Sequence, residues 1–367
     1  MQITKSGRET MTSKERVRRT FQFEKTDRVT IGYEANTAIN RALCEALGVR
    51  DGDNETLYRA LGVDYRGVWA PYVGPKLFDD IRGRQVNELE GFITRWIEHS
   101  TGGYWDFCDF PLADAEAEAL DAYPMPNPDH FDYDRALHTA QSYGGEFGLF
   151  IGDAGTGDII NANGRLMGME DVLCHLITEN EAALAFIERR AAWQLGVWER
   201  MLEKCAGLLD FVWAGEDLGT QHSPMIGPEL YRKVLKPIHK RFADLASAYK
   251  LPLLVHTCGS SSWVYEDFIE MGVRGVDTLQ PEAAGMAPAD LAARFGGRLN
   301  FRGCISTTGA LAYGTHADVD EVCRQTLDIM MPTRGYHFAP THMIQDNSPV
   351  DNVIAMYNAV QKYGFYA

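Results

Sequence analysis

A histidine and a cysteine stand two residues apart in HTCG at positions 256–259, directly after the apolar run LPLLV. In an extended strand, residues i and i+2 share a side, so His256 and Cys258 can aim an imidazole and a thiolate at one point if that geometry persists through Thr257. Cys304 lies 46 residues beyond Cys258, and His342 another 38 residues on. Nitrogen and sulfur ligands of this kind suit zinc, and a catalytic zinc keeps three protein ligands with one position open. His256 and Cys258, joined by either Cys304 or His342, would complete such a set. The competing reading makes the two cysteines small strand-end hydrophobes and the histidines hydrogen-bonded core residues. The other five cysteines, Cys44, Cys108, Cys174, Cys205 and Cys323, fall in helical or inserted stretches and read as structural.

The elements that must position these groups follow from the alternation of the chain. Short apolar or β-branched runs end in polar or glycine-rich residues at 28–36, 147–157, 207–219, 251–259, 272–282, 297–307 and 335–343. Stretches with helical periodicity separate them, among them SPMIGPELYRKVLKPIHKRFADLASAYK and DVDEVCRQTLDIMM. Repeated strand-then-helix order calls for parallel strands. An eighth run inside 60–73 makes the expected fold α/β, a (β/α)8 TIM barrel. An open doubly wound sheet is disfavoured, because IGYEANTAIN after the first strand lacks a G-x-G-x-x-G phosphate loop. Residues 74–130 hold FITRWIEHSTGGYWDF and then DAYPMPNPDHFD, whose three prolines end any regular element. They read as an inserted segment after the first strands, a small β-excursion with a lid or partner role.

In a parallel barrel the active site forms at the C-terminal ends of the strands, so the residues where each run gives out are the candidates. Tyr33, Asn36, Asp153, Gln280 and Gln345 are expected to contact substrate. Glu216 and Asp217, in GEDLG, are the candidate catalytic carboxylates: they would bind substrate, orient a metal-ligating imidazole or supply an acid. Helix capping or solvent exposure competes for them. Asp153, in GDAGTG, suits a turn equally well. Trp69, Tyr72, Trp96, Tyr104 and Trp105 offer either an aromatic wall for a flat ligand or ordinary packing.

Composition narrows the partners. With 35 basic against 51 acidic residues the formal charge of the 367-residue chain is −16, which argues against nucleic acid or an anionic membrane surface. No apolar run approaches the roughly 20 residues of a membrane span, and the start lacks a signal-peptide core. An odd number of scattered cysteines fits reduced thiols, so a cytoplasmic location is expected. Residues 1–10 are polar and expected to be disordered. TSKE at 12–15 has the form of a capping box, and a single domain is expected over 11–367.

The assembled stretches resemble the uroporphyrinogen decarboxylase superfamily over almost the whole chain. TSKERVRRTFQFEKTDRVTI, GEDLGTQHSPMIGPELYRKVLKPIHKRF, HTCGS and FAPTHMIQDNSPVDNVIAMYNAV carry the likeness. It implies a (β/α)8 barrel. The decarboxylases proper hold their tetrapyrrole with an Arg-Gln-Ala-Gly-Arg stretch and an Asp after Arg-Pro-Phe. Neither stretch occurs here, which disfavours porphyrinogen decarboxylation. The H-x-C pair is similar instead to the zinc-dependent, corrinoid-linked methyltransferase branch. That resemblance implies zinc, a corrinoid (cobalamin) on a partner protein, and a small methylated substrate, with O-demethylation of a methyl ether the preferred direction. Transfer from a methyl-corrinoid to a thiol or folate, a decarboxylase of another acidic substrate, and a non-catalytic corrinoid- or metal-binding barrel are the alternatives. In the branch the third ligand is a cysteine near the C-terminus. Counted back from the Pro-x-x-Asn ending, here Pro349 to Asn352, its place falls at about His342, leaving His342 and Cys304 both open.

Overall fold

The computed structural model describes residues 2–99 and 102–367. Strands β1 (Thr30–Ile31) and β2 (Tyr65–Gly67) precede three strands of the insertion, β3 (Gln85–Val86), β4 (Ile93–His99) and β5 (Gly102–Phe107). Six more follow: β6 (Gly148–Gly152), β7 (Phe211–Gly215), β8 (Leu253–His256), β9 (Gly275–Leu279), β10 (Asn300–Ile305) and β11 (Tyr336–Pro340). The main sheet runs β1-β11-β10-β9-β8-β7-β6-β2, with every pairing parallel and helices between successive strands. It is a (β/α)8 barrel, and each apolar run read from the sequence supplies one strand, the eighth being Tyr65–Gly67.

The sheet's two edge strands, β1 and β2, are joined by Asp64. Its N–H donates to the Ile31 carbonyl (3.0 Å), and its carboxylate accepts the Ile31 N–H (2.7 Å). The base is closed by the helix Ser13–Phe21, whose N-cap Thr12 accepts the Glu15 N–H as TSKE suggests. Val17 and Phe21 of this helix insert under an aromatic filling made by Tyr65, Phe150, Phe211 and Trp213. Phe150 and Phe211 stack at 4.9 Å between centroids. These large inward side chains make the lower barrel a packed core, so any site must form above them. Residues 2–10 form no helix or strand, but the Thr4 N–H donates to Asn358 Oδ1 (2.8 Å) and the Thr10 N–H to Asp27 (2.7 Å).

The insertion builds a separate antiparallel sheet, β3-β4-β5. Trp96 and Trp105 face each other across it at 5.6 Å and remain about half exposed. At the far end of this hairpin, His99 Nε2 lies 3.8 Å from Asp346 of the loop after β11. The hairpin therefore reaches the loop that carries His342. Among the described residues no helix is long and apolar enough to cross a membrane.

Candidate metal centre

His256 is the last residue of β8, and Cys258 lies just past it where the chain turns through Gly259. That turn presses on the loop after β7: a Cβ on Gly259 would meet the Gly219 carbonyl oxygen at 2.4 Å, and one on Gly219 would meet the Ser260 nitrogen at 2.4 Å. Only glycines allow this approach, and Gly259 also sits at φ +69°. His342 comes from the loop after β11. This loop is held on both sides, by the Thr341 N–H on the Ile305 carbonyl (2.8 Å) and the Ile344 N–H on the Glu34 carbonyl (3.0 Å). One ligand atom from each of His256, Cys258 and His342 lies within 4.8 Å of the others.

The imidazole of His256 is oriented from behind. Its Nδ1 lies 3.0 Å from Asp277 Oδ2 and 2.7 Å from Thr278 Oγ1. Burial raises the Asp277 pKa, but Arg302 and His256 together outweigh it and hold the carboxylate below its ordinary range. An ionised Asp277 can only accept, so Nδ1 carries a proton and Nε2, which faces Cys258 Sγ at 3.3 Å, is the nitrogen left to ligate a metal once it is deprotonated. Two ligands of a tetrahedral zinc, at about 2.0 and 2.3 Å from the ion, stand ~3.6 Å apart, so this pair fits the ion. Burial works against charging His256, yet Asp277 and Cys258 raise its pKa well above the usual value. The Cys258 thiol is pushed up by burial against the pull of His256. The cluster is thus a set of soft donors that a divalent ion would deprotonate on binding.

The two candidate carboxylates diverge. Asp217 faces the cluster: its Oδ1 accepts the Cys258 N–H (2.8 Å) and lies 3.7 Å from His256 Nε2, while Asn161 Nδ2 donates to Oδ2 (2.8 Å). Glu216 points into the barrel wall, 1% exposed, and accepts the N–H groups of Ile159 (2.7 Å) and Ile160 (3.0 Å) where the helix Ile160–Met167 begins. His239 Nε2 lies 3.1 Å from its Oε2, and the buried Asp158 also shares a hydrogen bond with Glu216. Burial raises the Glu216 pKa to about 8 and lowers that of His239 to about 4.

Cys304 does not join the group. Arg302 of the same strand points into the barrel, where it meets Asp277 and Tyr65, and simple alternation would send Cys304 the same way. The register with β9 shifts between Phe301 and Gly303, and Gly303 (φ +118°) and Cys304 (φ +68°) leave extended geometry. Cys304 consequently packs in the outer hydrophobic layer with Tyr265 and Tyr336, its thiol pKa pushed far up by burial.

The other residues expected at the site are scattered. Gln280 exchanges hydrogen bonds with Gln221 (2.9 and 3.3 Å), tying together the loops after β9 and β7. Tyr33 donates to Asn40 and packs against Tyr58 and Tyr357. Asn36 caps the helix Thr37–Leu47. Asp153 accepts from Gly155 and Thr156 in its own turn. Gln345 donates to the Met343 carbonyl (3.0 Å). Asp277 and Thr278 were missed by pattern reading, although a carboxylate inside an apolar run, GVDTL, is itself a signal, since a buried charge needs a partner. Thr278 holds φ +64°, a conformation that costs a β-branched residue about 1–3 kcal/mol and marks a constrained position beside His256.

Fold and site together define a TIM barrel with a His/Cys/His cluster at its mouth. The uroporphyrinogen decarboxylase (URO-D) family profile matches residues 162–363, more than half of the chain, and the chain belongs to that family. Among solved structures, a methyltransferase from Methanosarcina mazei shares the fold with a TM-score of 0.65 at 15% identity, covering 96% of this chain and 99% of its own. No curated protein matches.

Proposed function

We propose that the protein is a zinc-dependent methyltransferase that moves a methyl group between a small methylated substrate, preferably a methyl ether, and a corrinoid carried by a separate protein. The meeting of His256, Cys258 and His342 at the barrel mouth carries this reading. The shared fold with a protein named as a methyltransferase agrees with it. When bound by these three residues, zinc supplies Lewis-acid polarisation of the heteroatom that carries or receives the methyl group. One thiolate with two imidazoles leaves the site more electrophilic than a set with two thiolates. This favours making an ether oxygen a better leaving group over preserving the nucleophilicity of a thiol.

The chain's own residues divide the remaining work. Asp277 and Thr278 hold His256 in the ligating tautomer. Asp217 fixes the Cys258 backbone and presents its carboxylate beside the cluster, where it orients substrate. Glu216 is a positioning residue that locks the helix start at Ile160 to the end of β7. His342, on an exposed loop, leaves the mouth open to both reaction partners.

The test combines zinc-loaded protein, a reduced corrinoid protein and a panel of aryl methyl ethers, with methyl–cobalt formation followed by absorbance. Wild type should turn over at least one ether. Asp217→Asn should lower turnover by about 10-fold with zinc content and thermal midpoint unchanged. Methyl transfer only from methyl-corrinoid to thiols or folate would reverse the direction proposed. Undiminished turnover in Asp217→Asn would remove that residue from the site.

A further inference from the structure

Between the insertion and the outer wall of the barrel lies a cavity of about 360 Å³, and none of His256, Cys258 and His342 lines it. Its size falls in the range of small-molecule sites, about 300–1,000 Å³. Trp69, Phe92, Phe131 and Trp193 supply aromatic walls, with Phe131 and Trp193 nearly parallel at 10° between planes. Such walls favour a flat ring.

Several polar groups of the cavity are already engaged. Glu90 is engaged by Arg190 (2.9 Å), and Asp153 by Gly155 and Thr156. Asn87 Oδ1 accepts two backbone N–H groups, and Gln194 Oε1 accepts the Gly157 N–H. Beyond these bonds the lining offers the NH2 groups of Asn87 and Gln194, the second oxygens of Glu90 and Asp153, and Arg165 as its one cation. Among the described residues Arg165 has no carboxylate partner within ion-pair distance, and its Nε is buried without an acceptor. The rings of Phe92 (5.8 Å) and Phe107 (5.0 Å) flank its guanidinium.

We propose that this cavity binds a small planar aromatic monocarboxylate, its ring between the aromatic walls and its carboxylate on Arg165. One guanidinium suits one carboxylate, which it can grip with two parallel N–H donors. Glu90 and Asp153 in the same lining disfavour a dianion such as phosphate.

Benzoate titrated into the zinc-loaded protein, followed by tryptophan fluorescence and calorimetry, tests this. One saturable site is expected, with binding at least 10-fold weaker for the neutral isostere benzamide and for Arg165→Gln. Val197→Trp, which fills the cavity from the helix Glu181–Lys204, should abolish binding even if Arg165→Gln folds poorly. Cys258→Ser, which disables the proposed zinc site, should bind benzoate as wild type does. Loss of binding in Cys258→Ser with retention in Arg165→Gln would put the carboxylate at the zinc site and overturn the proposal. So would absence of saturation, or equal competition by inorganic phosphate. Because the readout is binding, its failure is separate from failure of the methyl-transfer reading.

Discussion

At the base of the barrel the buried carboxylate of Asp64 is met by Arg16 and Arg28 at 2.6 Å each, by Ser13 at 2.7 Å and by the Ile31 N–H. At the mouth, His256, Cys258 and His342 turn ligand atoms toward one another, behind a threonine held at φ +64°. The base matches each charge with an opposite one and closes the sheet's edges by hydrogen bonds. The mouth gathers donors of one kind and keeps a strained residue beside them. One sheet thus separates stability from chemistry, as parallel barrels do when loops at the strand C-termini carry the site. Removing a group should therefore cost stability at one end and metal at the other.

The largest effect is expected at the base. Asp64→Ala leaves two buried guanidinium groups without their partner and should cost about 3–5 kcal/mol in urea unfolding. His342→Ala, on the exposed loop, should change the metal-free protein by less than about 0.5 kcal/mol. Comparable losses would break the division between the ends.

A second test lies in the wall between them. The folded pKa of Glu216, about 8, is above its ordinary 4.5. Its contribution is therefore whole below the unfolded value and is lost as pH rises through about 8. Wild type should lose stability between pH ~5 and ~8.5 more steeply than Glu216→Gln, read from denaturant midpoints. Identical slopes would mean that Glu216 is ionised throughout.

The alternation of apolar runs with helical stretches, together with the resemblance, made the barrel legible, because eight short strands each had to be apolar and each had to stop. HTCG was legible because its spacing allowed His256 and Cys258 to meet, although β8 ends at His256 and Cys258 reaches the cluster from the turn beyond it. Strand parity failed at Cys304, where a register shift and two positive-φ residues turn the side chain outward; Gly303, a glycine inside the strand run GRLNFRGCIST, is the one mark this leaves in the sequence. It also could not separate Glu216 from Asp217, since adjacent residues always diverge and only the tertiary neighbours say which faces the mouth. Asp277 was visible as a charge in an apolar run, but its role depends on β9 lying next to β8.

A smaller effect sharpens the mouth. Asp277→Asn removes the charge behind His256 and should weaken zinc binding by about 10–100-fold, measured by competition with a chromogenic chelator. Thr278→Val, which keeps the shape and loses the hydroxyl, should weaken it less. Unchanged affinity in both would leave His256 without the orienting role assigned to its neighbours.

Zinc content in Cys304→Ser and His342→Ala, purified side by side and measured by mass spectrometry, tests the central claim most directly. About one zinc per chain is expected in wild type and in Cys304→Ser, with most of it lost from His342→Ala. Zinc lost from Cys304→Ser and kept in His342→Ala would contradict the ligand set drawn here.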